Sequence, residues 1–170
     1  MRFNEFKKLL EASSSPDLVI VGDSIAVGIG SVMKNAVTNA TVGISSKQIL
    51  SNVTGDTKVQ GAKVAVVSAG TNDSLQNDQQ KTALINNLGA IKRALGTRRV
   101  VWIGSNVPAA DKIIKHVAQA EGDPCVDITV LSKAPDGIHP GSYSDLAAVV
   151  KRTMASEGWN AQIAQAGQKD

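Results

Sequence analysis

Short apolar runs recur along the chain, separated by longer stretches in which apolar residues return every three or four positions. The runs are Leu18 to Val21, Ala40 to Ile44, Lys63 to Ala69, Arg99 to Gly104 and Val126 to Leu131, rich in β-branched residues and almost free of charge. Such runs predict strands covered on both faces, as in a parallel sheet. The stretches between them predict helices at Ile25 to Asn35, Gln79 to Leu95, Ala109 to Glu121 and Ser142 to Glu157, with a shorter one from Ser46 to Asn52. Strand and helix alternate throughout, and right-handed crossovers place helices on both faces of the sheet. The expectation is an α/β chain: a three-layer α/β/α sandwich around a five-stranded parallel sheet in the flavodoxin-like order 2-1-3-4-5. Ligands of such sheets bind beyond the carboxyl ends of the strands, so the residues that follow each strand are where chemistry is expected.

With 170 residues, no internal repeat and no long Gly-, Pro- or Ser-rich linker, residues 1–170 read as one domain. A chain of this size buries roughly 70% of its unfolded surface, and an apolar content of 42% can fill such a core. Within residues 1–15, Phe3, Phe6, Leu9 and Leu10 recur at helical spacing, which predicts an N-terminal helix packed on the domain. Residues 159–170 read as a polar tail rich in Ala and Gln. Glu5 and Lys7-Lys8 interrupt what would be the apolar part of a secretory signal, and no apolar run approaches the ~20 residues of a membrane span. The chain is therefore expected to be cytoplasmic at synthesis, unless it is exported or released by lysis.

Charge narrows the function classes. The excess of 18 basic over 15 acidic residues is small and scattered, and aromatics are only 3% of the chain. Nucleic-acid recognition asks for a basic stripe or for stacking rings, so no nucleic-acid partner is expected. The single cysteine, Cys125, excludes an intrachain disulfide and a cysteine-rich zinc site, and the two histidines, His116 and His139, are too few for structural zinc. No cofactor and no metal are expected.

The strand ends carry the candidate chemistry. The first run ends in Gly22-Asp23-Ser24, and Ser24 opens a helix. It reads either as a helix cap or as a nucleophile placed where free amides and the helix dipole can stabilise developing charge. The glycines Gly22, Gly28 and Gly30 do not make a phosphate loop, because no Gly-Lys-Ser/Thr follows and Met33 stands where a dinucleotide fingerprint needs a small residue. The second run contains Gly43. The third ends in Gly70-Thr71-Asn72-Asp73. Asn72 either shapes a turn or offers a side-chain N–H₂ that can hold an oxyanion. After the last run comes Asp136-Gly137-Ile138-His139 in a loop rich in Pro and Gly. These two side chains read either as an ordinary turn or as an Asp that fixes the His tautomer and leaves Nε2 to act as a base.

Taken together, these blocks resemble the SGNH hydrolases, also called the GDSL esterase/lipase family. The resemblance rests on Gly22-Asp23-Ser24-Ile25, Gly43, Gly70-Thr71-Asn72-Asp73 and Asp136-Gly137-Ile138-His139, in this order, and spans Val19 to about Tyr143. Ile25 stands where Leu is commoner, and the second block is carried by one glycine. The resemblance implies that Ser24 is the nucleophile, His139 the general base and Asp136 its orienting partner. It further implies that the N–H groups of Ser24 and Gly43, with the Asn72 side chain, form the oxyanion hole. Activity should then fall as acid protonates the histidine.

The expected reaction is hydrolysis of carboxylic esters through an acyl-enzyme. Short loops without a lid suggest a shallow site for a small acyl group such as acetyl, on a small molecule or a glycan of a cell wall. Residues expected at the substrate are Asp23, Ile25, Asp73, Val107 and Ile138, with Leu75 and Pro108 near the mouth. Three rivals stand beside this reading. The segment Gly22 to Ala26 approaches the G-x-S-x-G elbow of α/β-hydrolases. Asp23, Asp73 and Asp136 could serve a magnesium phosphohydrolase. The same fold could also be a carbohydrate-binding module without turnover. The oligomeric state is not legible in the sequence.

Overall fold

The computed structural model describes residues 2–5 and 15–159. The strands are β1 (Leu18–Gly22), β2 (Val37–Ala40), β3 (Val64–Ser68), β4 (Val100–Ile103) and β5 (Cys125–Val126). They form one parallel sheet in the order β2-β1-β3-β4-β5, as expected. The helices are α1 (Ser24–Val32), α2 (Ser46–Thr54), α3 (Asp78–Leu95), α4 (Pro108–Glu121) and α5 (Tyr143–Ser156).

Alternation along the strands explains why the runs are apolar throughout. Val19 and Val21 of β1 and Ala65 and Val67 of β3 join a core with Ile49, Leu84, Leu88 and Ile114 from α2, α3 and α4. The intervening Leu18, Ile20, Val64 and Val66 face the other way, onto Ile25, Ile29, Leu146 and Val150 of α1 and α5. Each fully buried Leu or Ile contributes roughly 1.5–3 kcal/mol. The helices stop on local signals: α3 and α4 end at Gly96 and Gly122, both left-handed, with φ of 63° and 71°.

Two strands depart from expectation. β2 occupies residues 37–40, upstream of the predicted Ala40 to Ile44. It is an edge strand, pairing Val19 with Val37 through Gly22 with Ala40. With one neighbour and a half-exposed face it does not need an apolar run, and the chain leaves the sheet at Thr41, whose N–H donates to the Gly22 carbonyl at 3.0 Å. β5 has two residues rather than the predicted six, because Asp127 accepts from the Thr129 N–H and starts a 3-10 turn over Ile128–Val130. The start of the predicted N-terminal helix, at Phe3 to Glu5, is helical and Phe3 is exposed. Phe6, Leu9 and Leu10 lie outside the described residues, as does the tail after Trp159.

Candidate active site

β1 lies between β2 and β3, so the chain leaves those two strands on either side of its carboxyl end. This is the crevice where open α/β sheets bind ligands. Gly22 closes β1 with φ 142°, and a Cβ there would lie 1.8 Å from the Ser68 carbonyl oxygen, so no side chain fits. Asp23 then caps α1: its Oδ1 accepts from the Ile25 N–H at 3.0 Å and from the Ser68 hydroxyl at 2.9 Å. With the cap supplied by Asp23, the Ser24 hydroxyl is free for another partner. That partner is His139, whose Nε2 lies 2.9 Å from Ser24 Oγ.

The histidine sits on a self-bonded loop. Lys133 and Pro140 form an isolated antiparallel bridge, the Ala134 N–H donates to the His139 carbonyl at 2.9 Å, and the Gly141 N–H donates to Ser132 at 2.8 Å. Within the loop, Asp136 Oδ1 accepts from the Ile138 and His139 N–H groups at 2.9 and 3.0 Å. Its Oδ2 is 2.5 Å from His139 Nδ1. The contact with His139, helped by the two backbone donors, holds the Asp136 carboxyl down at about 2. A carboxylate at Nδ1 favours the tautomer with the proton on that nitrogen, which leaves Nε2 to accept from Ser24. Asn106, after β4, donates from Nδ2 to the Ile138 carbonyl at 2.9 Å.

Across the crevice, Gly43 is exposed on the loop between β2 and α2 at φ 78°, which a residue with a side chain rarely adopts. Asn72 donates from Nδ2 to the Ile44 carbonyl at 3.1 Å, so one of its two amide hydrogens stays available. Asp73 braces the same region. Its Oδ1 accepts from the Ser46 N–H at 2.8 Å, its Oδ2 accepts from the Ser46 hydroxyl, and Asn87 of α3 donates to Ser46 Oγ at 2.9 Å. The loops carrying Gly43 and Asn72 are thus joined through a buried serine.

The structure brings Ser24, Asp136 and His139 into one hydrogen-bonded chain and corrects part of the expected substrate set. Asp23 and Ile25 are both 0% exposed and cannot touch a substrate. They flank Ser24 at the start of α1, where Ile25 joins the core and Asp23 turns inward as the cap. Burial pushes the Asp23 carboxyl up to about 6, and its Oδ2 has no hydrogen-bond partner. Asp73 spends both carboxylate oxygens on Ser46, which braces the start of α2. Val107 and Leu75 pack partly buried against the α3 and α4 core, Pro108 opens α4, and Ile138 is half-buried beside His139. Sequence reasoning missed Ser46, Ser68, Asn87 and Asn106. Their roles depend on partners 27 to 45 residues away, so no local motif announces them.

The three aspartates of the metal reading are apart in role: Asp23 is buried, Asp73 holds Ser46 and Asp136 holds His139. Among the described residues no group of three His, Cys, Asp or Glu side chains is placed to hold a metal ion, and no helix is long and apolar enough to cross a membrane. His116 lies on α4 and lines a groove with Ile85 and Ile113 that shares no residue with the Ser24 site.

No protein-family model matches the chain, and no curated protein matches its sequence. Solved structures do match in fold. A GDSL-like lipase from Bacteroides thetaiotaomicron superposes with a TM-score of 0.65 at 18% identity, covering 92% of this chain and 98% of that one. A lipase/acylhydrolase from Enterococcus faecalis gives 0.63 at 16% identity over 82% and 95% of the two chains. A catalytic mutant of an acetylxylan esterase from Geobacillus stearothermophilus gives 0.58 at 15% identity over 83% and 95%. The chain has the three-layer fold of these lipases and esterases.

Proposed function

We propose that this protein is a serine esterase that hydrolyses short-chain carboxylic esters through an acyl-enzyme. The observation that carries the reading is the chain of contacts from Ser24 Oγ to His139 Nε2 at 2.9 Å and from His139 Nδ1 to Asp136 at 2.5 Å. His139 takes the Ser24 proton as Oγ attacks the ester carbonyl, and Asp136 stabilises the resulting imidazolium. The oxyanion is held by the N–H groups of Ser24 and Gly43 and by the free amide hydrogen of Asn72. The imidazolium then gives its proton to the departing alcohol. Water repeats the sequence on the acyl-enzyme and releases the acid.

An acetyl group is the favoured acyl moiety, and a glycan hydroxyl the favoured acceptor. The Asp136 and His139 side chains are 48% and 36% exposed, which describes an open mouth suited to a small acyl group on a bulky carrier. An acetylxylan esterase shares the fold. The test compares p-nitrophenyl acetate, butyrate and octanoate with wild type and Ser24→Ala, both checked by circular dichroism. Turnover that prefers acetate and disappears with Ser24 is expected. Octanoate turning over faster than acetate would overturn the acyl preference. A folded wild type that cleaves neither these esters nor acetylated glycans would leave a binding module on the same fold.

A further inference from the structure

The loop that carries Asp136 and His139 is well bonded to itself but barely bonded to the rest of the protein. Among the described residues, two hydrogen bonds join residues 132–141 to the remainder. One is the Ser24–His139 contact itself. The other runs from Asn106 Nδ2 to the Ile138 carbonyl, one residue before the histidine. The Ile138 oxygen also fixes which end of the amide is nitrogen, since the rotated side chain would set Oδ1 against a carbonyl.

The segment holding Asn106 is fixed on both sides. The fully buried Ser105 donates its N–H to Asp111 at 3.0 Å, and its hydroxyl meets Thr71 Oγ1 at 2.9 Å and accepts from the Val107 N–H at 3.0 Å. Asn106 therefore projects from a braced turn between β4 and α4 onto a loop whose other hydrogen bond to the rest of the described residues is the Ser24–His139 contact. Its Oδ1 is buried without a partner, a desolvation cost that an apolar side chain at this position would not carry. An unpaired acceptor is tolerated here in return for the donor on the other end of the amide.

We propose that Asn106 is a positioning residue that clamps the Asp136–His139 loop over Ser24 through the Ile138 carbonyl. The proposal rests on the reading of His139 as the base of Ser24. Without the clamp the loop keeps its internal bonds, so the Asp136–His139 pair survives while its distance from Ser24 Oγ is no longer held. Misplacing a catalytic group by about 1 Å can cost ~10² in rate, so the loss should fall on kcat rather than on KM.

The test uses protein labelled with nitrogen-15 at histidine, because the chain has only two histidines, His116 and His139. The His139 Nε2 signal is recorded in wild type, Ser24→Ala, Asn106→Asp and Asn106→Ala, with His116 as internal reference. Asn106→Asp keeps the shape and removes the donor. Asn106→Ala serves should a carboxylate at this position prevent folding. In either Asn106 variant Nε2 is expected to move toward its position in Ser24→Ala, with His116 unmoved and kcat on p-nitrophenyl acetate about 10- to 100-fold lower at a KM within about twofold. An Nε2 signal that stays at the wild-type position would overturn the clamp, whatever happens to kcat. So would an identical signal in wild type and Ser24→Ala, since there would then be no contact to hold. An inactive wild type would count against the esterase reading alone, and the nitrogen signal would still decide on Asn106.

Discussion

At the scale of single residues, neighbours in sequence do opposite jobs. Asp23, Ser24 and Ile25 are consecutive, yet the first caps α1 from inside, the second meets His139 and the third fills the core. The motif was legible as residue types, while the direction of each side chain was not, because it is set by the turn from β1 into α1. Asn72 is different, since its amide is exposed at the crevice and one of its hydrogens is already placed by Ile44. Asn72→Ala should lower kcat by ~10²–10³ without unfolding the protein, measured by ester turnover alongside thermal melting. Asp136→Asn should cost more, on the order of 10³–10⁴, because an amide that donates to Nδ1 forces the proton onto Nε2. Acid should act elsewhere. The Asp136 carboxyl is held at about 2, chiefly by His139, so it keeps its charge through ordinary assay conditions. An acid limb in kcat/KM therefore does not come from loss of the Asp136 charge.

At the scale of elements, the sheet order and the helices were readable from periodicity, because buried parallel strands leave an apolar run that few other structures produce. The errors fall at the sheet edges. β2 is half-exposed and carries Thr38 and Asn39, so the neighbouring apolar run from Ala40 to Ile44 outbid it as a strand signal. That run instead makes the loop that presents Gly43. What holds this loop is the Asp73–Ser46–Asn87 cluster, which joins α2, α3 and the turn after β3. Sequence offered Asp73 as a substrate contact, and only the fold shows it bracing the start of α2. Asp73→Ala leaves the buried Ser46 N–H without its acceptor, a loss of about 1–3 kcal/mol. It should lower the urea midpoint and also reduce kcat, since Gly43 and Asn72 lose their common support. A variant that is destabilised but keeps full kcat would show that the cluster holds the fold and not the site.

At the scale of the whole molecule, the topology puts Ser24 at the carboxyl end of a central strand and an ionisable group directly beneath it. Asp23 is buried, with one oxygen accepting from Ser68 and Ile25 and the other unpartnered. Burial outweighs these hydrogen bonds and raises the carboxyl from 3.8 to about 6. The sign of the effect on stability follows from proton counting. Between about pH 4 and about pH 6 the folded protein keeps a proton that the unfolded chain has released, so stability falls as pH rises through this window. The loss is complete once both forms are ionised and amounts to about 3 kcal/mol for a shift of about two units. Asn at position 23 keeps an oxygen for Ile25 and Ser68 and has no proton to release. Urea unfolding of wild type and Asp23→Asn from about pH 4 to about pH 7 should therefore diverge by about 2 kcal/mol, with the variant gaining as pH rises. Other carboxylates contribute equally to both proteins and cancel in the difference. Parallel curves would mean that Asp23 ionises in the folded state as freely as in the unfolded chain, and that Ser24 is not built over a buried acid.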